Sequence, residues 1–142
     1  MNKWVLFLCG MLVLLSCKNQ KTTEPVATED LVMYKASEMT LLMKEMYISN
    51  ELLKEKIIKS ESLGNFNATF LNIHKAVLTD RFERTPEFDQ NAKEFIKNQE
   101  AIFSVSEELR VGQFNQTVNS CIACHETTCT GPIPRIKKLL ID

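Results

Sequence analysis

The chain is poor in residues that interrupt helices, with four glycines and four prolines among 142 residues. Nowhere does it alternate polar and apolar residues as a half-buried β-strand does. Neither charge is in excess, since 17 Lys and Arg residues stand against 18 Asp and Glu residues, and no basic stripe is present. These absences exclude a β-rich fold and give no support to nucleic-acid binding. They favour long helices joined by short connections.

Long apolar runs are also missing, except at the N-terminus. Met1-Asn2-Lys3 is a short basic segment, and residues 4–15 carry no charge. This run is too short to span a bilayer comfortably and predicts a signal peptide over residues 1–16. It ends in Leu14-Leu15-Ser16-Cys17, which resembles the lipobox of bacterial lipoproteins, where the Cys is acylated.

The N-terminal pattern therefore predicts an exported protein, anchored to a bacterial membrane by lipid on Cys17 and lying in the periplasm or facing the outer membrane. Residues 17–28 are polar and predict a flexible tether, and residues 29–142 predict one domain. An ordinary signal peptide or an uncleaved anchor is the alternative.

The chain has five cysteines and only two histidines, and one short stretch concentrates them. Cys121-Ile122-Ala123-Cys124-His125 has the Cys-x-x-Cys-His spacing that attaches c-type haem. Two thiols three residues apart on a helix can each form a thioether with one haem vinyl group. His125 then lies about one turn beyond Cys121, where its imidazole can bind the iron as proximal ligand. The motif predicts one covalent haem c.

Two other chemistries use the same residue types. A thioredoxin-like redox pair normally opens a helix after a strand, and the sequence predicts no such strand. A zinc ion could be offered Cys121, Cys124, His125 and Cys129, but adjacent ligands at 124 and 125 suit one tetrahedral ion poorly. Cys129 has no predicted partner, so we interpret it as a buried small residue, with a haem-edge contact or an intermolecular disulfide as alternatives.

Apolar residues recur at helical spacing in four segments, which predicts an all-α, antiparallel four-helix bundle with the haem on the last helix. The helices are expected from about Thr28 to Glu61, from Asn67 to Phe82, from Thr85-Pro86-Glu87 to about Leu109, and from Gly112 to Gly131-Pro132. A short amphipathic extension with a basic side follows. The expected apolar faces are Met39, Leu42, Met43, Met46, Leu53 and Ile57; Phe66, Phe70, Ile73 and Val77, widened by Leu71 and Leu78; Phe88, Ala92, Phe95, Ile96, Ile102, Phe103 and Leu109; and Phe114, Val118, Cys121 and His125.

Four helices with Cys-x-x-Cys-His on the last one resemble class II c-type cytochromes, the cytochrome c′ group, and the whole is similar to small haem lipoproteins of Bacteroidetes-type bacteria. In that group the first helix presents a basic residue and, four later, a residue over the distal haem face. Lys35 and Met39 stand in those places here. The resemblance implies an electron carrier if Met39 binds iron, and a five-coordinate protein that binds or senses NO or CO if it does not.

The resemblance also admits a homodimer through the first two helices. It stops at the tail, because class II chains usually end within a turn or two of the haem His, whereas this chain continues to Asp142.

Several further side chains are candidates for the haem environment. Met43 is a second candidate ligand, although a Met stripe on a helix is usually core. His74 could be a ligand, a partner of a haem propionate or a hydrogen-bonded boundary residue. Arg135 is the basic tail residue best suited to a propionate, with a solvated face or a docking patch for an acidic redox partner as alternatives. The sequence offers no second catalytic group, so we do not expect an enzyme. The expected partners are redox proteins.

Overall fold

The computed structural model describes residues 35–142, and every regular element in that range is helical. The α-helices are α1 (Glu38–Ile58), α2 (Pro86–Ala101), α3 (Arg110–Thr128) and α4 (Ile133–Ile136). Short 3-10 helices cover Ala68–His74, Glu107–Leu109 and Lys137–Leu139. The predicted all-α class is therefore confirmed for this part of the chain. The predicted signal peptide, the lipidated Cys17 and the tether lie outside the described residues.

The first helix begins later than predicted. Ser37 is extended and its side-chain oxygen accepts a hydrogen bond from the backbone N–H of Thr40, while Glu38 stands in the first turn. A capping hydroxyl followed by an acid satisfies free N–H groups and suits the positive end of the helix dipole. Residues 35–37 are not helical, so the expected helix from Thr28 is wrong over this stretch. The apolar face of α1 is as predicted, with Met43 only partly buried.

The C-terminus of α1 is set by the backbone rather than by the predicted Leu63-Gly64-Asn65 stop. Ser60 has a left-handed φ of 53°. Its N–H donates to the carbonyl of Ile57, and the next N–H, of Glu61, donates to that of Lys56. This pair of bonds is the Schellman arrangement, in which glycine usually takes the left-handed position.

The second predicted helix is the largest correction to the expected fold. Residues 67–82 do not form an α-helix, and only Ala68–His74 is regular, as a 3-10 helix capped by the side chain of Asn67. Three residues per turn align positions 70, 73 and 76, and Phe70, Ile73 and Ala76 are the buried residues. Val77, which a 3.6-residue period turned inward, is 61% exposed. This segment therefore does not form the second of the four predicted α-helices.

The third and fourth predicted helices are confirmed, with changed bounds. Thr85 caps α2 through a bond from the N–H of Phe88, and Pro86 is in its first turn, as predicted. The helix ends at Ala101 instead of Leu109. α3 begins at Arg110, before Gly112, and ends at Thr128, where Cys129 turns extended with φ −152°.

The helices enclose two apolar clusters. α2 and α3 make the most extensive helix contact, and α1 packs against α3 and against the 3-10 helix Ala68–His74. The cluster A residues are Met39, Leu42, Met46, Phe70, Ile73, Ala76, Phe88, Ala92, Phe95 and Ile96. The cluster B residues are Leu53, Ile57, Leu63, Ile102, Phe114, Val118, Ile136 and Leu139. The N-terminal half of α1 thus covers cluster A, and its C-terminal half covers cluster B.

The tail after α3 folds back onto cluster B. Ile136 and Leu139 are buried there, while Arg135, Lys137 and Lys138 face outward, as the predicted amphipathic extension required. Among the described residues, no helix combines the length and apolar character needed to cross a bilayer.

Candidate functional site

The Cys-x-x-Cys-His stretch lies in the last two turns of α3. Cys121 packs against both clusters and Cys124 against cluster A, so the helix directs this segment towards the apolar interior. The other predicted members of the stripe, Phe114 and Val118, lie a turn or two earlier and are buried in cluster B. The stripe on α3 therefore passes from cluster B to the border between the two clusters.

Burial keeps both motif cysteines in the thiol form. It raises the pKa of Cys121 from 9.0 to about 12, with a smaller contribution from the neighbouring Cys124. Burial also raises the pKa of Cys124, although a hydrogen bond with Thr128 opposes the change and the charge of Glu87 adds to it. Neither cysteine is in a disulfide. A nucleophilic redox cysteine needs a lowered pKa, commonly at a helix N-terminus, whereas this pair is half-buried near a helix C-terminus and its pKa values are raised.

His125 is held by the backbone that ends its own helix. Its Nδ1 lies 2.8 Å from the carbonyl oxygen of Cys129. A carbonyl oxygen can only accept, so Nδ1 carries the hydrogen and donates it. The N–H of Cys129 in turn donates to the carbonyl of His125 at 3.0 Å. This pair of bonds fixes the ring and leaves Nε2 as the nitrogen that can bind a metal.

The candidate ligands for the opposite haem face occupy different settings. Met39 is 6% exposed within cluster A, and Met43 packs against the same cluster from a less buried position. Both methionines and both motif cysteines therefore border one apolar region. His74 is half-buried at the last position of its 3-10 helix, next to the buried Ile73.

Arg135 is engaged with the first helix. Its guanidinium carbon lies 4.0 Å from the ring centroid of Tyr47 on α1, a cation–π contact. Tyr47 packs against cluster B. The predicted propionate partner is thus already stacked on an aromatic ring, a contact that the sequence does not predict.

Cluster A is closed on one side by the 3-10 segment, which polar contacts hold in place. Arg84 donates to the carbonyls of Ile73 at 2.9 Å and of Ala76 at 3.0 Å. At the start of α1, the N–H of Met39 donates to the carbonyl of Val77, whose own N–H donates to the carboxylate of Glu38. These contacts hold the C-terminal end of the segment that faces the candidate ligand Met39.

The motif residues do not gather as a cage for an ion. Within residues 35–142 no three His, Cys, Asp or Glu side chains converge as metal ligands. The imidazole of His125 is instead bonded to the Cys129 carbonyl. Covalent haem requires fewer protein ligands, because the porphyrin supplies four of the iron ligands. The protein has to supply two thiols, one imidazole and an apolar environment. The residues present fit that group.

Two parts of this site could not be predicted from the sequence. Cys129 acts through its carbonyl, which any residue type carries, and its half-buried thiol plays no part in that contact. The sequence pattern predicted an α-helix where the structure has the 3-10 segment.

A scan against protein-family models found no match, and comparisons with curated proteins and with solved structures found none either.

Proposed function

We propose that the protein is a c-type cytochrome, a covalent haem protein that transfers electrons at a membrane surface. Cys121 and Cys124 would hold one haem c through thioethers, and His125 would be the proximal iron ligand. The observation that carries the proposal is the bond from His125 Nδ1 to the Cys129 carbonyl, 2.8 Å long, beside the two thiols. A ligand histidine in a metal site usually makes such a bond with its second nitrogen.

The chain's own contributions follow from the packing. Cys121 and Cys124 are thiols, the form that adds across a vinyl double bond with no atom lost. Cluster A supplies an apolar environment beside them, and such an environment tunes a bound haem by excluding water. The haem supplies the redox chemistry, and the protein binds and orients it.

The sixth ligand separates electron transfer from gas binding. We propose Met39, because it is buried in the cluster against which both motif cysteines pack. A thioether favours ferrous iron and raises the potential. If no side chain binds the sixth position, the protein would instead bind NO or CO.

The remaining parts of the proposal concern assembly. We propose that lipid on Cys17 tethers the domain to a bacterial membrane, that its partners are redox proteins, and that the helices bundle in the manner of class II cytochromes. A homodimer would use α1, whose outer face exposes Leu41, Ile48 and Leu52.

The test is to express the full chain with a bacterial c-type maturation system and to follow the haem. We expect haem that stays on the polypeptide in a denaturing gel, and a mass increase of one haem. Cys121→Ser and Cys124→Ser should each remove one attachment, and the double variant should lose covalent haem entirely. Cys129→Ser is the matched control, since it removes a neighbouring thiol outside the motif, and it should keep full attachment.

Absorption spectra with and without carbon monoxide then test the ligand. A low-spin ferrous spectrum that carbon monoxide leaves unchanged, together with ready carbon monoxide binding by Met39→Ala, would support the electron carrier. A high-spin wild-type spectrum that shifts with carbon monoxide would favour the gas-binding protein. A chain that takes up no haem would refute both.

A further inference from the structure

The tail beyond the haem motif is anchored at several points on the helices. The side chain of Asn115 donates to the carbonyl of Ile141 at 2.7 Å and accepts from its N–H at 2.9 Å. Lys54 Nζ donates to the carbonyls of Lys138 and Leu140. α3 supplies the first anchor and α1 the second.

Apolar contacts complete this attachment. Ile136 and Leu139 are buried in cluster B, against which Cys121 and Ile122 also pack. Arg135 stacks on Tyr47. The tail thus bridges α1 and α3 just behind the motif, although it contains only two very short helices of its own.

The same tail begins with the residue whose carbonyl holds His125. From Cys129 the chain turns through Thr130, whose carbonyl accepts from the N–H of Ile133, and enters α4. The position of the Cys129 carbonyl is therefore set from both sides, by the end of α3 and by the path of the anchored tail.

We propose that residues 129–142 form a strap that fixes the His125 ring, and that Asn115 and Lys54 are its positioning residues. The hydrogen bonds of both side chains go to residues 138–141 of the tail. Each acts by holding the strap, and through it the carbonyl that accepts the Nδ1 hydrogen. The effect on iron rests on the proposed haem function, whereas the hydrogen bond does not.

The direction of the effect follows from the donor. A firm bond from Nδ1–H to a carbonyl makes the imidazole more basic, which favours ferric iron and lowers the reduction potential. Releasing the strap should weaken that bond and raise the potential. Loss of such an outer partner commonly changes metal affinity or activity by about 10–100-fold, and we expect a change of about tenfold in the ferric–ferrous equilibrium. A tenfold change in the ferric–ferrous equilibrium is about 59 mV for one electron.

The experiment compares Asn115→Ala and Lys54→Met in the full chain. Asn119→Ala and Lys59→Met are matched controls, because each changes an exposed residue of the same type. Asn119 lies on α3, and Lys59 is the C-cap of α1, where it pairs with Glu55 instead of the tail. Lys54→Arg keeps donors at the anchor and should restore wild-type behaviour. In the haem-loaded proteins we expect a higher potential for the two strap variants and wild-type values for the controls.

A second measurement needs no haem. The chain has two histidines, so His74→Gln assigns the ring signals in a nitrogen–proton NMR spectrum. We expect a protected Nδ1–H for His125 in the wild type and controls, and rapid exchange with water in Asn115→Ala and Lys54→Met. Wild-type signals in both strap variants would overturn the proposal, as would unchanged potentials. Failure to attach haem would refute the cytochrome assignment, while the NMR result would still decide whether the strap holds the ring.

Discussion

Replacing Arg84 by Ala should loosen the wall of cluster A and lower stability by about 3 kcal/mol. The guanidinium donates to two backbone carbonyls, lies 4.8 Å over the ring of Phe88 and pairs with Asp89 at 3.6 Å. Each hydrogen bond to a charged group contributes about 1.5–3 kcal/mol, and the cation–π contact about 0.5–2 kcal/mol. The partly exposed ion pair adds about 0–1 kcal/mol.

The full sum is not expected, because the freed carbonyls can regain water and the contacts share one side chain. For a domain of about 110 residues, a loss of about 3 kcal/mol lowers the melting temperature by about 12 °C. Urea unfolding followed by circular dichroism measures the loss directly. Arg84→Lys keeps the charge but not the two-pronged donor, so it should fall between the wild type and Arg84→Ala.

Arg81→Ala is the matched control. Arg81 stands three residues earlier, is exposed, and stacks on Phe82 at 4.9 Å. Its loss should cost less than about 1 kcal/mol. If Arg84→Ala is no more destabilising than Arg81→Ala, the 3-10 segment does not depend on these bonds and the account of the wall is wrong.

Three further outcomes test other parts of the structure. Ser60→Gly should raise stability by about 0.5–1 kcal/mol in urea unfolding, because glycine adopts the left-handed turn after α1 without steric cost. In the chain without haem, burial raises the pKa of the Cys121 thiol from 9.0 to about 12. The unfolded state therefore loses its proton first, and stability should fall by about 1.4 kcal/mol per pH unit above pH 9 relative to Cys121→Ala. Ile48→Glu, at the centre of the exposed stripe on α1, should convert the proposed homodimer into a monomer in sedimentation without lowering the helix content.

The helices that could be predicted from sequence are those whose apolar period and caps agree. Thr85-Pro86 marks the start of α2 by side-chain chemistry alone, and the core face of α1 follows its 3.6-residue period. The start of the first helix is harder to predict, because Thr28 and Ser37 can both cap a helix. The hydrogen bond from the Thr40 N–H to Ser37 shows which cap α1 uses.

The prediction of an α-helix around Phe70 was wrong for a different reason. Its apolar residues satisfy a period of 3.6 almost as well as a period of 3.0, because Phe70 and Ile73 belong to both. The two periods differ at the next apolar position, since a period of 3.0 buries Ala76 and a period of 3.6 buries Val77. In the structure Ala76 is buried and Val77 is exposed. Bonds from Arg84 and to Glu38 stabilise that outcome, and both come from outside the segment. No local pattern carries that information.

The candidate site likewise has a part that the sequence predicts and a part that it does not. The spacing of Cys121, Cys124 and His125 is a local property of one helix, so the sequence alone predicts its chemistry. The orientation of His125 depends on a backbone carbonyl, and that carbonyl depends on a tail held by Asn115 and Lys54. The hydrogen bonds that hold the tail join residues 26 to 86 positions apart in the chain. The motif therefore identifies the group that would be bound, whereas the properties of the bound group depend on contacts that only the folded chain brings together.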